Sequence, residues 1–244
     1  ITTRLVGSEM CIRDSFLIFG VLPYVVIAVL VLGSLARFVL APFSWKSQSS
    51  EILDKKDIFW GANLFHIGVI FLFCGHCFGL FTPTEWLNAA GLTPRLHQMM
   101  EIICGGLSAI VAITGLIILT WRRLTNERVR AASRPSDFWV LFLLLAVIIL
   151  GIGCVVNSYL YDKSGATIIL LGGWVRGLFS FDYQAWQNIL LVPDWQKAHI
   201  FVGLIIFLIV PFTRLVHIWS GYLSVFYLIR PHQIMRANNG KPMK

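Results

Sequence analysis

Five apolar segments of about 20 residues each constrain the fold of this chain more than any other feature of its sequence. They lie at residues 16–36, 58–81, 102–121, 138–156 and 198–219. A helix needs about 20 apolar residues to cross a bilayer, and the chain is 57% hydrophobic but only 13% charged. The sequence therefore predicts an all-α integral membrane bundle of five transmembrane helices. A sixth apolar stretch, 168–181, is shorter and carries Arg176, which predicts an interfacial or re-entrant helix.

Lys and Arg residues are distributed unevenly between the two sides that five membrane crossings define. Most of the 20 lie in the loops after the first and third segments and in the C-terminal region. Because cytoplasmic loops carry an excess of Lys and Arg, the N-terminus is predicted to lie outside and the C-terminus in the cytoplasm of a prokaryotic cell (inner) membrane. The net charge of +8 then reflects topology and lipid contact, and we expect no nucleic-acid partner.

The same segments divide the chain into three parts. Residues 1–15 are polar, carry both charge signs and lack an initial Met, which predicts a non-native or artefactual leader. Residues 16–219 form the predicted five-helix transmembrane domain. Residues 220–244 are predicted to be a cytoplasmic tail that binds a partner protein.

Four histidines lie inside the apolar segments, namely His66 and His76 in the second and His199 and His217 in the fifth. These two segments cross the membrane in opposite directions. The topology therefore pairs His66 with His217 near the cytoplasm (the inner pair) and His76 with His199 near the outside (the outer pair). A single intramembrane histidine is as often a packing residue or proton relay as a ligand. Two pairs instead predict two bis-histidine haem b groups that carry electrons, whereas zinc would require four converging ligands.

The spacing of the histidines differs between the two segments. His66 and His76 are 10 residues apart and His199 and His217 are 18 apart, which corresponds to helical rises of about 15 and 27 Å. Straight helices would not place both pairs level, so the fifth segment is predicted to be kinked at Pro211 or tilted. Nearby small residues either make room for a flat macrocycle or pack helices together. They are Gly68, Gly75, Gly79, Gly105, Gly106 and Gly203.

Several motifs resemble those of a known family. NLFHIG at 63–68, GHCFGLFTP at 75–83 and PFTRLVHIW at 211–219 resemble the gamma subunit of the respiratory nitrate reductase, a five-span dihaem cytochrome b. The resemblance implies that all four histidines ligate haem and that quinol is oxidised near the outer haem. Electrons would then pass to the inner haem, to an iron–sulfur beta subunit and to a molybdopterin alpha subunit that reduces nitrate. This chain would be the quinol-oxidising subunit of that enzyme, without a nitrate-reducing site of its own.

Three further residues are candidates for the quinol site. In the family a lysine near the start of the third segment helps to bind the quinone, and here His97 takes its place. His97 could hydrogen-bond the quinol, Glu101 could relay its proton, and Gly75 could shape the pocket. An ordinary interface histidine is the alternative for His97. Arg214 could bind an inner-haem propionate or extend to the lipid headgroups.

Two other functions are compatible with the same sequence. One is a related dihaem subunit that feeds a heterodisulfide-reductase-like or sulfite-reduction complex. The other is a haem-free membrane anchor or transporter.

Overall fold

The computed structural model describes residues 12–41, 44 and 56–219, and this part of the chain is all-α, as predicted. Within it, five helices are long and apolar enough to cross a membrane. Four of them are α1 (Ile12–Leu40), α2 (Lys56–Phe81), α3 (Pro94–Thr125) and α4 (Pro135–Tyr161). The fifth is Asp194–Phe212, which consists of helix α6 (Asp194–Ile209) and a following 3₁₀ turn. A shorter helix, α5 (Ala166–Phe179), has 14 residues. This length agrees with the prediction that the sixth apolar stretch is not a membrane span.

The loops divide between two ends of the bundle, which we name after the predicted orientation. The outer end comprises residues 82–93 and 162–193, including the short helices Thr84–Ala89 and Gln187–Leu190. The inner end comprises residues 122–134, with the short helix Glu127–Ala131, and residues 210–219. The orientation itself stays a prediction. The predicted leader, up to residue 11, and the predicted tail, 220–244, lie outside the described residues, whereas residues 12–15 continue α1.

The helices form a continuous chain of neighbours. The most extensive helix–helix contact is between α2 and α3. Helix α3 also contacts α4, α4 contacts α6, α6 contacts α1, and α5 lies against α2. Helix α2, which carries His66 and His76, and helix α6, which carries His199, make at most marginal backbone contact with each other. The histidine pairs therefore do not lie in a closely packed helix–helix interface.

Small residues allow the close contact between α2 and α3. A methyl group on Gly68 would collide with the backbone of Ala112, and one on Gly115 would collide with the backbone of α2 at Phe65. Helices in membranes associate through small residues of this kind, because no hydrophobic driving force separates apolar side chains from lipid. Of the two roles that the sequence left open for Gly68, room for a macrocycle or helix packing, the structure supports helix packing.

A hydrophobic cluster at the outer end joins α1 to α5. Phe19, Trp174 and Ile189 are buried in it. The Trp174 Nε1–H donates to the carbonyl oxygen of Phe19 at 2.8 Å, within the π-helical turn Leu17–Val21. The indole satisfies its polar group while its ring contributes apolar contact, so α5 is held against the bundle.

The fifth apolar segment, residues 198–219, does not form one continuous helix. Helix α6 ends at Ile209 and is followed by the 3₁₀ turn Val210–Phe212, an extended Thr213 and a second 3₁₀ turn, Arg214–Val216. Pro211 lacks the N–H that an α-helix would use. The predicted interruption at Pro211 is therefore confirmed, and its form is a break of several residues.

Arg37 of α1 supplies hydrogen bonds to this break. Its Nη1 donates to the carbonyl oxygens of Pro211 and Thr213, both at 2.7 Å. Inside a membrane, carbonyls that leave a helix need protein partners, because lipid offers none. In the sequence, Arg37 is only one of the positive charges that predict the topology. In the structure, it stabilises the non-helical segment next to His217.

Candidate functional site

The structure brings the four intramembrane histidines together in the two pairs that the topology predicts. The ring centroids of His76 and His199 are 6.0 Å apart, and those of His66 and His217 are 6.1 Å apart. The ring planes of the outer pair are within 20° of parallel, whereas those of the inner pair cross at 73°. The pairs therefore have the same separation but different ring orientations.

Each of the four rings makes the same type of second contact. The Nδ1 atom of every histidine lies within hydrogen-bond distance of a backbone carbonyl oxygen. The acceptors are Ala62 for His66 (2.7 Å), Leu72 for His76 (2.7 Å), Val147 for His199 (3.0 Å) and Arg214 for His217 (2.7 Å). A carbonyl can only accept, so Nδ1 carries the proton and Nε2 carries the lone pair. This is the arrangement found around metal-binding histidines, whose other ring nitrogen donates to a carbonyl or carboxylate.

The separation of the rings suits one metal ion between each pair. Imidazole nitrogens bind metals at about 2.0–2.1 Å, which places the centroids of two facing rings about 6 Å apart. Among the described residues, no group of three or more His, Cys, Asp or Glu could hold a metal ion. Each pair would thus offer two ligands, and a bound macrocycle would have to supply the rest of the coordination.

Glycines beside the histidines leave room for such a macrocycle. Cβ atoms added to Gly75, Gly105 or Gly203 would meet nothing within 4 Å. Gly75 adjoins His76, and Gly203 lies one turn beyond His199. Together with the loose contact between α2 and α6, these open positions fit a flat prosthetic group, whereas Gly68 serves helix packing.

Helix α4 contributes a residue to the outer pair that the sequence reasoning missed. A Cβ on Gly151 would lie 3.1 Å from Cε1 of His199, so only glycine lets the ring approach α4 without displacement. This approach allows His199 to donate to the Val147 carbonyl. A glycine inside a long apolar helix is a sequence signal for close packing, but it does not reveal the partner.

Arg214 is anchored by a carboxylate in the structure. Its Nε lies 2.7 Å from Oδ1 of Asp137 and its Nη2 lies 2.5 Å from Oδ2. Asp137 is 3% exposed and also pairs with Arg123 at 3.0 Å. The predicted contact of Arg214 with a haem propionate stays a prediction. Asp137, in the first turn of α4, is thus a component of the inner end.

The structure places the three quinol-site candidates near the outer pair. His97 is 6% exposed and its Nε2 lies against Gly79, one turn along α2 from His76. Glu101 begins a π-helical turn, Glu101–Gly105, and interacts electrostatically with His76. Such π-helical turns are frequent at functional sites. A small cavity at the outer end is lined by His97 together with Gly79, Thr82, Pro94, Ile168 and Arg176.

Residues that the sequence did not single out hold the start of α3, which carries His97, against neighbouring segments. Gln98 is buried and donates to Ser158 Oγ and the Asp162 carbonyl, both at 2.8 Å, which ties the start of α3 to the end of α4. Partial burial alone would raise the pKa of Asp162, but hydrogen bonds from backbone N–H groups at 164–167 lower it to about 2. Gly165, with φ of 78°, lies against the Pro94 carbonyl where no side chain would fit.

The fold and the site define a class of protein, namely a multi-pass helical membrane protein with two facing pairs of histidines in its apolar segments. The chain belongs to the nitrate reductase gamma subunit family, whose sequence profile matches residues 15–238. It is 36% identical to the respiratory nitrate reductase 2 gamma chain of Escherichia coli K12, over 90% of this chain and 95% of that one. It is 34% identical to the nitrate reductase gamma chain of Bacillus subtilis 168, over 91% and 98% respectively. The family membership that the sequence motifs predict is confirmed.

Proposed function

We propose that this chain is the dihaem cytochrome b subunit of a respiratory nitrate reductase, which oxidises quinol at the outer end and passes electrons to the inner end. The observation that carries the proposal is the pair of facing histidine sites, with centroids at 6.0 and 6.1 Å and every Nδ1 bound to a carbonyl. Family membership supports the nitrate reductase assignment over a heterodisulfide-reductase-like or sulfite-reduction complex.

The four histidines would hold two haem b groups, and a bound haem supplies one-electron redox chemistry. His66 and His217 would ligate the inner haem iron, and His76 and His199 the outer one. Two histidine ligands for each iron would leave no coordination site for oxygen, which would suit electron transfer. The Nδ1–H bonds to backbone carbonyls fix the tautomer and the direction of each ring, so that Nε2 is presented to the metal.

His97, Glu101 and Gly75 would form the quinol site. His97 is buried beside the small cavity, and no described residue hydrogen-bonds its ring, so the ring is available to a quinol hydroxyl. In this role His97 accepts a quinol proton and Glu101 passes it on, while Gly75 keeps space open beside His76. Release of protons outside combined with inward electron movement would transfer charge across the membrane.

The partners would bind at the inner end, which the positive-inside rule places in the cytoplasm. The relatives are named as gamma chains of nitrate reductases. We infer an iron–sulfur beta subunit that accepts electrons from the inner haem and a molybdopterin alpha subunit that reduces nitrate. Nitrate reduction would take place in the partner subunits and not in this chain.

An optical redox titration of the complex in membranes tests the proposal. We expect two one-electron transitions of b type, with His66→Ala abolishing one and His76→Ala abolishing the other. Sensitivity of only the outer transition to a quinol-site inhibitor would support the location of the quinol site. Absence of any b-type spectrum in the wild-type complex would refute the proposal.

A further inference from the structure

A buried carboxylate at the inner end accepts hydrogen bonds from two arginines. Asp137 Oδ2 accepts from Arg123 Nη1 at 3.0 Å and lies 2.5 Å from Arg214 Nη2, while Oδ1 accepts from Arg214 Nε at 2.7 Å. The backbone N–H of Arg134 adds a further bond to Oδ2 at 3.0 Å. Both carboxylate oxygens are thus engaged, and the two-point contact fixes the Arg214 guanidinium in one plane.

Arg214 connects this carboxylate to a histidine of the inner pair. Its carbonyl oxygen lies 2.7 Å from His217 Nδ1. The equivalent acceptors for His66 and His76 lie one turn back in the continuous helix α2, where the helical hydrogen bonds hold them. Arg214 instead lies in a 3₁₀ turn after an extended residue, so its position depends on contacts outside its own helix.

We propose that Asp137 is a positioning residue for the inner histidine pair. It anchors the Arg214 side chain, and the anchored residue presents the carbonyl that orients His217. This inference rests on the proposed ligation of a haem by His66 and His217. Loss of the anchor weakens the Nδ1–H bond and makes His217 a poorer electron donor. Loss of the carboxylate charge also disfavours the oxidised, more positive metal. Both effects raise the midpoint potential of the inner haem.

The test uses Asp137→Asn and Arg214→Lys in the intact complex, with redox titration of both haems. The inner transition is identified as the one that His66→Ala abolishes. We expect it to move to higher potential or to disappear in Asp137→Asn, and to move less in Arg214→Lys, which keeps the charge but not the two-point contact. The outer transition should keep its wild-type potential. Asp137→Glu should restore the inner transition in part, and the exposed Asp182→Asn at the outer end serves as the control.

Two results would overturn the inference while leaving the proposed function in place. One is a wild-type complex with two haems in which Asp137→Asn leaves the inner potential unchanged. The other is an equal shift of both haems, which would show a general effect on folding. If the Asp137→Asn complex does not accumulate, Asp137→Glu and Arg214→Lys are titrated instead, and an inner-haem potential unchanged in both would overturn the inference. A wild-type complex without haem would refute the proposed function and this inference with it.

Discussion

The outer and inner histidine pairs have nearly the same ring separation, but different physical interactions hold them in place. In the outer pair, the His199 ring contacts α4, where Gly151 leaves space and the Val147 carbonyl accepts a hydrogen bond from Nδ1. In the inner pair, His217 follows a break in the helix and depends on Arg214, which Asp137 anchors. The outer pair is therefore set by close packing of helices, and the inner pair by buried charge.

This difference has a structural cause in the helices that carry the ligands. His199 lies near the start of an intact α6, so the helix axis fixes its backbone and only the ring needs a neighbour. His217 lies beyond two 3₁₀ turns, where backbone groups have left the helical pattern. Arg37 of α1 donates to the carbonyls of Pro211 and Thr213 there, because lipid offers no donor, and Asp137 of α4 binds the Arg214 side chain. The outer pair should be sensitive to added volume and the inner pair to lost charge.

The largest expected effect comes from breaking the pairs themselves. The double variant His76→Ala/His199→Ala should lose one haem and keep the other, because both ligands belong to one centre. The double variant His76→Ala/His217→Ala should lose both haems. Haem content per complex, measured by pyridine haemochrome absorption, distinguishes the two cases. Loss of one haem in each double variant would contradict the pairing.

A smaller effect is expected when the break in the fifth segment loses its support. Arg37→Gln leaves the carbonyls of Pro211 and Thr213 without their donor, at a cost of about 1–3 kcal/mol each. Thermal unfolding in detergent should move to lower temperature, with preferential loss of the inner haem. The control is Lys197→Gln, which removes an ion pair to the exposed Asp194. Equal loss of both haems in Arg37→Gln would argue against a local role.

Added volume should affect the outer pair selectively. Gly151→Val pushes the His199 ring away from α4, and overpacking of this kind costs about 1–3 kcal/mol. We expect a lower content of the outer haem with the inner haem retained. Gly106→Ala is a matched control, because a Cβ there meets only Val155 at 3.9 Å. A Gly151→Val complex with full outer haem would show that the contact with α4 is dispensable.

The smallest effect is expected at Asp162, which supports the start of α5 at the outer end. Asp162→Asn weakens several backbone hydrogen bonds and should cost about 1 kcal/mol, as other lost helix caps do. The folded-state pKa of about 2 lies below the usual value, so the charged form stabilises the fold. That contribution is complete above about pH 4 and is lost as the pH falls through 2. The difference in unfolding temperature between wild type and variant should therefore shrink over that interval. A constant difference down to pH 2 would exclude the carboxylate charge as its source.

The candidate ligands could be predicted from the sequence because their signals are local or follow from topology. Apolar length locates the membrane spans, and a histidine inside them is conspicuous. Alternation of the crossing direction then pairs His66 with His217 and His76 with His199. The interruption near Pro211 was also predictable, because proline lacks a donor wherever it occurs.

The residues that hold the ligands could not be predicted in the same way. Arg37 lies 174 residues before Pro211, Asp137 lies 77 before Arg214, and Val147 lies 52 before His199. No periodicity or spacing links such positions, since the partners meet only after the helices pack.

By itself, the sequence determined that this protein is a five-span membrane bundle with two histidine pairs. Apolar segments and the polar residues inside them can be recognised from the sequence without knowledge of the fold. Only the tertiary structure decided how each pair is oriented. In the break at 210–216, Arg37 of α1 donates to two backbone carbonyls, and Asp137 of α4 accepts from the Arg214 side chain. Backbone polar groups in a membrane must form hydrogen bonds with protein groups, because lipid offers none. Which side chains are close enough to do so depends on how the helices pack.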